Sequence, residues 1–434
     1  MKTKSLFIYR IVLIILLNLC LVFGAIFLYK FYYDKLPGTI VLQTEEEVVL
    51  SYDLPIKGIV YMAGQDENST EAITKTVAKV DFKNEVTLVA SRPKNYVIKT
   101  KLFGMIPLKN VDVNIVDDVQ VIPIGVPVGV YANTDGLLVV QTGEFEGIDG
   151  SKCAPCEKII SPGDYIKKIN GQELESKYQL VSLIEKCDGS VQTLTVRRGD
   201  KIFDVDVVPK ENKSGSYKLG IWVKDNAQGI GTLTFLTSNG EFGALGHGII
   251  DIDVQTVLEI GDGNLYRAEI MGIKKSERGN PGEMTGVIFY GQEPLGDILY
   301  NYESGIYGEY NLDKIDYLLR GFEDATLSEG MEIAYQNEIH EGNAEILCTI
   351  NGKTGLYDVE IDRIYPNAEN INKSLKLTVK DEELLAITGG IVQGMSGSPI
   401  IQDGKIVGAV THVLVNDPTR GYGIFIENML EAAG

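Results

Sequence analysis

A serine between glycines, near the C-terminus, is the residue best suited to covalent chemistry. The run Gly-Met-Ser-Gly-Ser-Pro at residues 394–399 lies between an apolar lead-in and an apolar exit strand. A nucleophile for acyl transfer needs an accessible hydroxyl and two N–H groups that converge on the oxyanion. In the geometry of serine-dependent hydrolases, the backbone N–H groups of Gly394 and Ser396 would supply that oxyanion hole. The alternative is an ordinary Gly/Ser turn between two strands.

A serine nucleophile needs a base, and the chain holds three histidines. His247 lies between two glycines after an apolar stretch, a setting that suits a loop presenting an imidazole to a cleft. His340 lies in a charged stretch and is typical of a solvated surface. His412 follows an apolar run and is a weaker candidate. We therefore predict His247 as the base and keep His412 as the second choice.

The third residue should be a carboxylate that orients the imidazole. Asp381 opens a segment that is typical of a short helix leading toward the serine bend. Its simplest interpretation is the N-cap of that helix. Because acidic residues are plentiful, spacing alone does not exclude Asp251, Asp253 or Asp417.

Three blocks of the C-terminal half resemble the SpoIVB sporulation peptidases, and the likeness extends upstream to most of the chain. The blocks cover residues 243–247, 388–399 and 410–423. The resemblance implies a serine endopeptidase whose triad is His, Asp and Ser in chain order. Carried over residue by residue, these are His247, Asp381 and Ser396. In chymotrypsin-like double barrels the acid lies nearer the histidine in sequence, so that fold is an analogy only.

The resemblance also implies a biological role. Such a peptidase acts in the space between the two membranes around a forespore, where it cuts itself and the extracytoplasmic part of an inhibitory membrane partner. The cut releases an intramembrane metalloprotease that processes the pro-sigma-K transcription factor. No cofactor is implied. The alternative function, which is not enzymatic, is that of a membrane-tethered PDZ adaptor that binds other proteins but does not cut them.

The middle of the chain predicts a small α+β module. Residues 162–171 are typical of a turn, a strand and an Asn-Gly turn, and residues 176–187 have apolar side chains at helix spacing. Two further strands follow, and this order resembles a PDZ domain. On that basis the peptide-binding loop would comprise Val128, Gly129 and Val130, where backbone N–H groups would capture a carboxylate.

The N-terminus predicts a membrane anchor. Ile11 to Tyr29 is a run of 19 residues without charge, close to the length that spans a bilayer core of about 30 Å. Basic residues at positions 2, 4 and 10 favour a cytoplasmic N-terminus and an extracytoplasmic remainder. A cleavable signal peptide is the competing interpretation, but its apolar region is usually shorter.

Composition narrows the class of partner. The net charge is −20, with no basic cluster beyond the anchor, which argues against a nucleic-acid partner. Cys153 and Cys156 form a C-x-x-C pair, yet no second pair completes four zinc ligands, so we predict no metal site. A local disulfide or free thiols are the expected states.

We therefore predict a mainly β, multi-domain chain in four parts. Residues 1–35 are the cytoplasmic tip and anchor, and residues 36–115 are a small β-rich domain or stalk. Residues 116–212 are the PDZ-like α+β domain. Residues 217–434 are the β-rich peptidase domain, resembling a chymotrypsin-like barrel.

Overall fold

The computed structural model describes residues 2–43, 47–50, 52–63, 73–89, 96–116, 119–322 and 324–433. It is mainly β, as predicted, and begins with the helix α1 (Lys2–Lys35). Among the described residues, this is the one helix long and apolar enough to cross a membrane, a test that signal sequences also pass. Its apolar side chains are exposed, Phe27 by 72%. Near its C-terminal end, the Tyr29 hydroxyl donates to the Leu108 carbonyl at 3.1 Å.

The next part is a β-sheet with its own core. Its strands are β1 (Thr39–Gln43), β2 (Glu47–Leu50), β3 (Ile56–Ala63), β4 (Ile73–Asp81), β5 (Val86–Val89), β6 (Tyr96–Leu102) and β7 (Ile106–Val116). Five of them pair in the order β1-β7-β6-β3-β4, and β2 with β5 forms a separate ribbon. Leu36, Ile56, Phe82 and Ile98 are buried in this core.

One long strand belongs to two neighbouring parts of the molecule. Strand β8 (Gln120–Thr142) has 23 residues. Its first half lies in a barrel described below. Its second half, beyond Gly136, enters the small α+β module.

The small module follows the predicted order of elements. It comprises β9 (Phe145–Glu146), β10 (Lys152–Cys153), β11 (Tyr165–Ile169), β12 (Gln172–Glu173), α2 (Lys177–Glu185), β13 (Gln192–Arg198), β14 (Lys201–Val207), β15 (Lys210–Glu211) and β16 (Tyr217–Lys218). The sheet order is β14-β13-β11-β8. Helix α2 begins at the Ser176 N-cap and buries Leu180 and Ile184, the residues that the helix periodicity places on one face. This PDZ-like arrangement confirms the predicted α+β fold.

The first barrel closes around strand β8. Its other elements are β17 (Ile221–Leu236), β18 (Glu241–Ala244), β19 (Ile260–Lys274), β20 (Glu283–Ile288), β21 (Gly296–Tyr302), β22 (Gly305–Tyr310) and α3 (Ile315–Leu319). Six strands form the ring β8-β17-β18-β22-β21-β19, which the pairing of β19 with β8 closes. Strand β20 pairs with β19 outside the ring.

The second barrel is formed by the C-terminal part. The short strand β23 (Met331–Glu332) precedes it and pairs with β8. The elements of the second barrel are β24 (Gly342–Ile350), β25 (Lys353–Ile364), β26 (Leu375–Val379), α4 (Glu382–Thr388), β27 (Pro399–Gln402), β28 (Lys405–Val413), β29 (Arg420–Phe425) and α5 (Ile426–Ala433). The barrel closes in the order β24-β25-β26-β29-β28-β27. Its core includes Ile346, Leu377, Met395 and Val410.

The strand pairing does not follow the domain boundary drawn from the sequence. Residues 120–134 pair with β17 and β19 and are part of the first barrel. They were predicted to belong to the PDZ-like domain at residues 116–212. The module is instead formed by the second half of β8, the first half of β17 and the elements between them, since both strands run through both parts. Neither strand ends at the crossing, which coincides with Gly136 (φ +101°) and with a register shift between Lys224 and Asn226.

Candidate active site

The predicted nucleophile and base lie on opposite barrels and face one cleft. His247 follows strand β18 of the first barrel, and Ser396 immediately precedes strand β27 of the second. Both side chains line a cavity of about 630 Å³. The fold therefore brings two residues that are far apart in sequence into the same cleft.

The serine loop is a compact turn. The Met395 N–H donates to the Val392 carbonyl at 3.1 Å, and the Ser398 N–H donates to the Met395 carbonyl at 2.9 Å. Gly397 has φ +97°, and a Cβ there would lie 2.2 Å from the Thr232 carbonyl oxygen. A side chain at this position would force the two barrels apart, so the turn requires glycine.

A threonine of the first barrel anchors this loop. The Thr232 N–H donates to the Ser396 carbonyl at 3.2 Å, and its Oγ1 donates to the Gly394 carbonyl at 2.6 Å. Both carbonyls are thereby turned toward Thr232. In the described part of the chain, the N–H groups of Gly394 and Ser396 donate to no protein acceptor. These are the two N–H groups predicted for the oxyanion hole.

A second contact from the first barrel holds the chain just before the serine loop. The loop between β19 and β20 contributes Ser276, whose Oγ donates to the Ile391 carbonyl at 2.8 Å. The Gln393 N–H donates to the Gly282 carbonyl at 2.8 Å, and the Met284 N–H donates to the Gln393 carbonyl at 2.9 Å. The nucleophile loop, which belongs to the second barrel, is thus also held by hydrogen bonds from the first barrel.

The chain enters His247 through two residues in the left-handed region. Leu245 has φ +71° and Gly246 has φ +68°, and such backbone is uncommon for leucine. The His247 Nδ1 lies 2.9 Å from the Gly248 carbonyl. Because a carbonyl only accepts, Nδ1 carries the proton and Nε2 keeps its lone pair. Burial lowers the pKa of His247 below its usual 6.5, and the Gly248 carbonyl partly opposes this, so the neutral imidazole is favoured.

The weaker histidine candidate lies beside the stronger one. The rings of His412 and His247 have centroids 5.2 Å apart and are tilted by 39°. Burial, with His247 and Lys373 nearby, lowers the pKa of His412 to about 4. Its buried Nδ1 has no partner among the described residues. Both histidines therefore line the cleft, and proximity alone does not choose between them.

The serine hydroxyl is engaged elsewhere in this conformation. Ser396 Oγ donates to the Thr411 carbonyl at 2.7 Å, and no hydrogen bond joins it to His247 within the described chain. Thr411 was not identified from the sequence. It is held in turn by its Oγ1, which donates to the Asn372 carbonyl at 2.6 Å.

Asn372 is the second site residue that sequence reasoning missed. Its Nδ2 donates to the Glu303 carbonyl at 2.9 Å, the same carbonyl that accepts the Gly248 N–H at 3.1 Å. Its buried Oδ1 has no partner among the described residues. Asn372 thereby links the His247 loop to the second barrel. No local motif surrounds it, so only the tertiary contacts reveal it.

The structure does not bring Asp381 to the imidazole. Asp381 is the N-cap of α4, and its Oδ1 accepts the Leu384 N–H at 2.7 Å. It is not among the residues that line the cleft. The rival carboxylates have other partners in this structure: Asp251 and Asp253 both pair with Lys224, and Asp417 accepts from Thr419. In this conformation Asp381 makes the contacts of a helix N-cap, which was its simplest interpretation from the sequence.

The structure contradicts the predicted peptide-binding loop. Val128, Gly129 and Val130 lie in the middle of β8, where both edges of the strand are already paired, with β17 and β19. A peptide cannot add to a strand that has no open edge. In the described chain, the module has such an edge at Ile221–Asp225, which pairs with β8 on one side and packs beside α2.

His340 is on the surface, with Nε2 2.8 Å from an Asp403 carboxylate oxygen. Cys153 and Cys156 are free thiols. Among the described residues, no group of three or more His, Cys, Asp or Glu side chains is placed to hold a metal ion.

Comparison with known proteins adds the family. Residues 215–430 match the model of the SpoIVB peptidase S55 family. Similar solved structures include the PDZ domain of the SdrC-like protein from Listeria monocytogenes, with 24% identity over 20% of this chain and 87% of that chain, TM-score 0.18. A second is the HtrA-type protease AlgW with decapeptide, with 11% identity over 48% of this chain and 53% of that chain, TM-score 0.26. A third is the active form of the Rv3671c protease from M. tuberculosis, with 15% identity over 48% of this chain and 75% of that chain, TM-score 0.25. The chain therefore belongs to the SpoIVB peptidase S55 family and is a serine peptidase.

Proposed function

We propose that this protein is a serine endopeptidase in which Ser396 is the nucleophile and His247 is the base. The observation that carries the proposal is the shared cleft: each residue comes from a different barrel, and both line the same cleft. The N–H groups of Gly394 and Ser396, which donate to no acceptor among the described residues, lie in the same turn as the hydroxyl. Nucleophile, base and oxyanion donors are thus together, as acyl transfer requires.

The mechanism follows from the chemistry of these groups. When a peptide carbonyl enters the cleft, the Ser396 hydroxyl leaves the Thr411 carbonyl and attacks, while His247 Nε2 accepts its proton. The N–H groups of Gly394 and Ser396 donate to the resulting oxyanion. His247 then protonates the departing amine, and a water molecule, deprotonated by the same imidazole, releases the acyl group.

Asp381 remains the proposed acid of the triad, and its support is the family resemblance alone. In that role its carboxylate would accept the Nδ1–H of His247, which now bonds to Gly248. This requires the segment around α4 to move relative to the His247 loop. Helix α4 has only seven residues. Its C-terminal end is held by Lys275 and Ser276, which donate hydrogen bonds to the Ala386 and Thr388 carbonyls.

The proposal extends to the cellular role that the resemblance implies. Helix α1 would anchor the peptidase in a membrane, with its N-terminus cytoplasmic and the barrels in the space around a forespore. The enzyme would cut itself and a membrane-bound inhibitor of an intramembrane metalloprotease, which triggers processing of pro-sigma-K. The PDZ-like module would hold a processed segment on its open edge at Ile221–Asp225, in the β-augmentation mode of such modules.

Replacement of the nucleophile tests the enzyme against the non-cutting adaptor. We expect Ser396→Ala to abolish self-cleavage and labelling by a fluorophosphonate, a loss of about 10⁴-fold or more in rate. The matched control is Ser398→Ala, because the Ser398 hydroxyl is buried without a partner among the described residues. Fragment patterns are compared by mass spectrometry with terminal sequencing. Identical patterns in wild type and Ser396→Ala, with no labelling of either, would leave the adaptor as the function.

A second substitution tests the acid while preserving the fold. Asparagine is as good an N-cap as aspartate, so Asp381→Asn keeps the bond to the Leu384 N–H but removes the charge. If Asp381 orients His247, kcat for self-cleavage falls by about 10⁴-fold with an unchanged melting temperature. Wild-type rates for Asp381→Asn would reassign the acid and leave Asp381 as a helix cap.

Two threonines on one strand test the support of the oxyanion hole. Thr232→Val removes the hydroxyl that bonds to the Gly394 carbonyl, and we expect kcat to fall by about ten- to a hundred-fold because the turn loses its register. Thr234→Val is the control, since Thr234 is equally buried but its hydroxyl has no partner among the described residues. Its activity should match wild type. Equal rates for the two variants would argue against the anchoring role of Thr232.

The pH profile tests the state of the base. A general base acts when neutral, and burial lowers the pKa of His247, so the neutral form persists below pH 6.5. The acid limb of kcat/KM should therefore have its midpoint below 6.5, measured with a fixed peptide at constant ionic strength. A midpoint above 6.5 would mean that the imidazole already has a carboxylate partner in the free enzyme, because kcat/KM reports the ionisation of the free enzyme.

A further inference from the structure

Among the residues that the structure describes, the lining of the cleft beside Ser396 includes no charged side chain. Its 22 lining residues include no Asp, Glu, Lys or Arg, although 23% of the chain is charged. At that frequency, a surface cleft of this size would hold about five such residues. The titratable groups in it are His247 and His412, whose pKa values are both lowered. The cleft is therefore close to neutral in a chain of net charge −20.

Apolar side chains form most of the walls. On the second barrel, Ile391 and Val392 precede the nucleophile, Val413 ends strand β28 and Val415 follows it. On the first barrel, Ile250 follows the base. The exposed fractions of Ile250 and Val415 are 48% and 49%. Half-exposed apolar residues that border a cleft indicate a surface that an apolar partner covers.

Two strand edges in the cleft wall have no partner strand. Strand β27 pairs with β28 only as far as Ala409, and the β17 pairing with β18 begins only at Leu233. In the described chain, residues 411–413 and 228–231 therefore each present one unpaired edge, and both segments line the cleft. An extended peptide can pair with such edges, with alternate side chains directed into the walls.

We propose that this cleft selects extended peptide segments whose side chains next to the scissile bond are apolar and uncharged, with Val415 and Ile250 among the residues that determine the preference. The inference rests on the proposed peptidase function and specifies its substrate class. An ionised side chain placed between these walls would lose its hydration without gaining a partner. A leucine or valine side chain would instead exchange water for the apolar walls.

The first test separates binding from cleavage. Decapeptides of Ala, Gly and Ser with a single Leu, Lys or Asp at each position in turn are given to the wild-type protein, and products are sequenced. We expect cuts beside Leu at a kcat/KM at least about 100-fold above those beside Lys or Asp. Fluorescence anisotropy with Ser396→Ala reports binding of the same peptides without turnover, and Leu peptides should bind more tightly.

The second test places a charge in the cleft. Val415→Glu and Ile250→Glu change half-exposed positions, so the fold should be retained, which the melting temperature checks. We expect each variant to lose about ten-fold or more in kcat/KM for the Leu peptide and to gain on the Lys peptide. The matched control is Val191→Glu, a 56% exposed valine in the PDZ-like module, which should behave as wild type.

The outcomes distinguish the two levels of the proposal. Cleavage that occurs equally beside Lys or Asp, or Glu variants that keep the Leu preference, would overturn the selection of apolar segments while leaving the peptidase intact. Absence of both cleavage and fluorophosphonate labelling in the wild type would overturn the peptidase itself. Preference for Leu in binding and turnover, reversed by Val415→Glu, supports the inference.

Discussion

The seam between the two barrels is the constraint on which the site depends. Thr232 donates from both its N–H and its hydroxyl to carbonyls of the serine loop, at 3.2 and 2.6 Å. These bonds fix the Gly394–Met395 and Ser396–Gly397 peptide planes. Among the described residues, the N–H groups of Gly394 and Ser396, which belong to the neighbouring peptide planes, donate to no protein acceptor. Gly397 permits the close approach, because any side chain there would meet the Thr232 carbonyl. The reactive turn is therefore shaped by a strand that lies about 160 residues earlier in the chain.

The cleft combines apolar walls with two imidazoles of lowered basicity. Burial favours the neutral forms of both His247 and His412, which suits a base but leaves no charge to orient it. The Ser396 hydroxyl meanwhile donates to the Thr411 carbonyl. The conformation thus places the nucleophile and the base in one cleft without a hydrogen bond between them among the described residues. Transfer of the Ser396 hydroxyl bond from the Thr411 carbonyl to His247 Nε2 would complete the pair.

Strand β17 connects the PDZ-like module to this site without a break. Its residues 221–225 present the module's open edge, residues 228–231 line the cleft, and Thr232 anchors the serine loop. A peptide bound to residues 221–225 would contact the same strand that shapes the reactive turn. The loop with Ser276 provides a second connection between the barrels, since it holds residues 388–393 from the first barrel.

The sequence by itself determined the candidate nucleophile and base, the anchor-like helix and the α+β module, because each depends on a local pattern of glycine, apolar run or periodicity. The same patterns failed for Val128, Gly129 and Val130, which are paired on both edges, and for the assignment of residues 120–134 to the PDZ-like domain, since β8 continues from the first barrel into the module without a break. Only the tertiary structure decided that Thr232, Thr411 and Asn372 belong to the site and that Asp381 caps α4 in this conformation. Those assignments depend on contacts between strands remote in sequence, and a residue's neighbours along the chain do not specify its neighbours across a barrel.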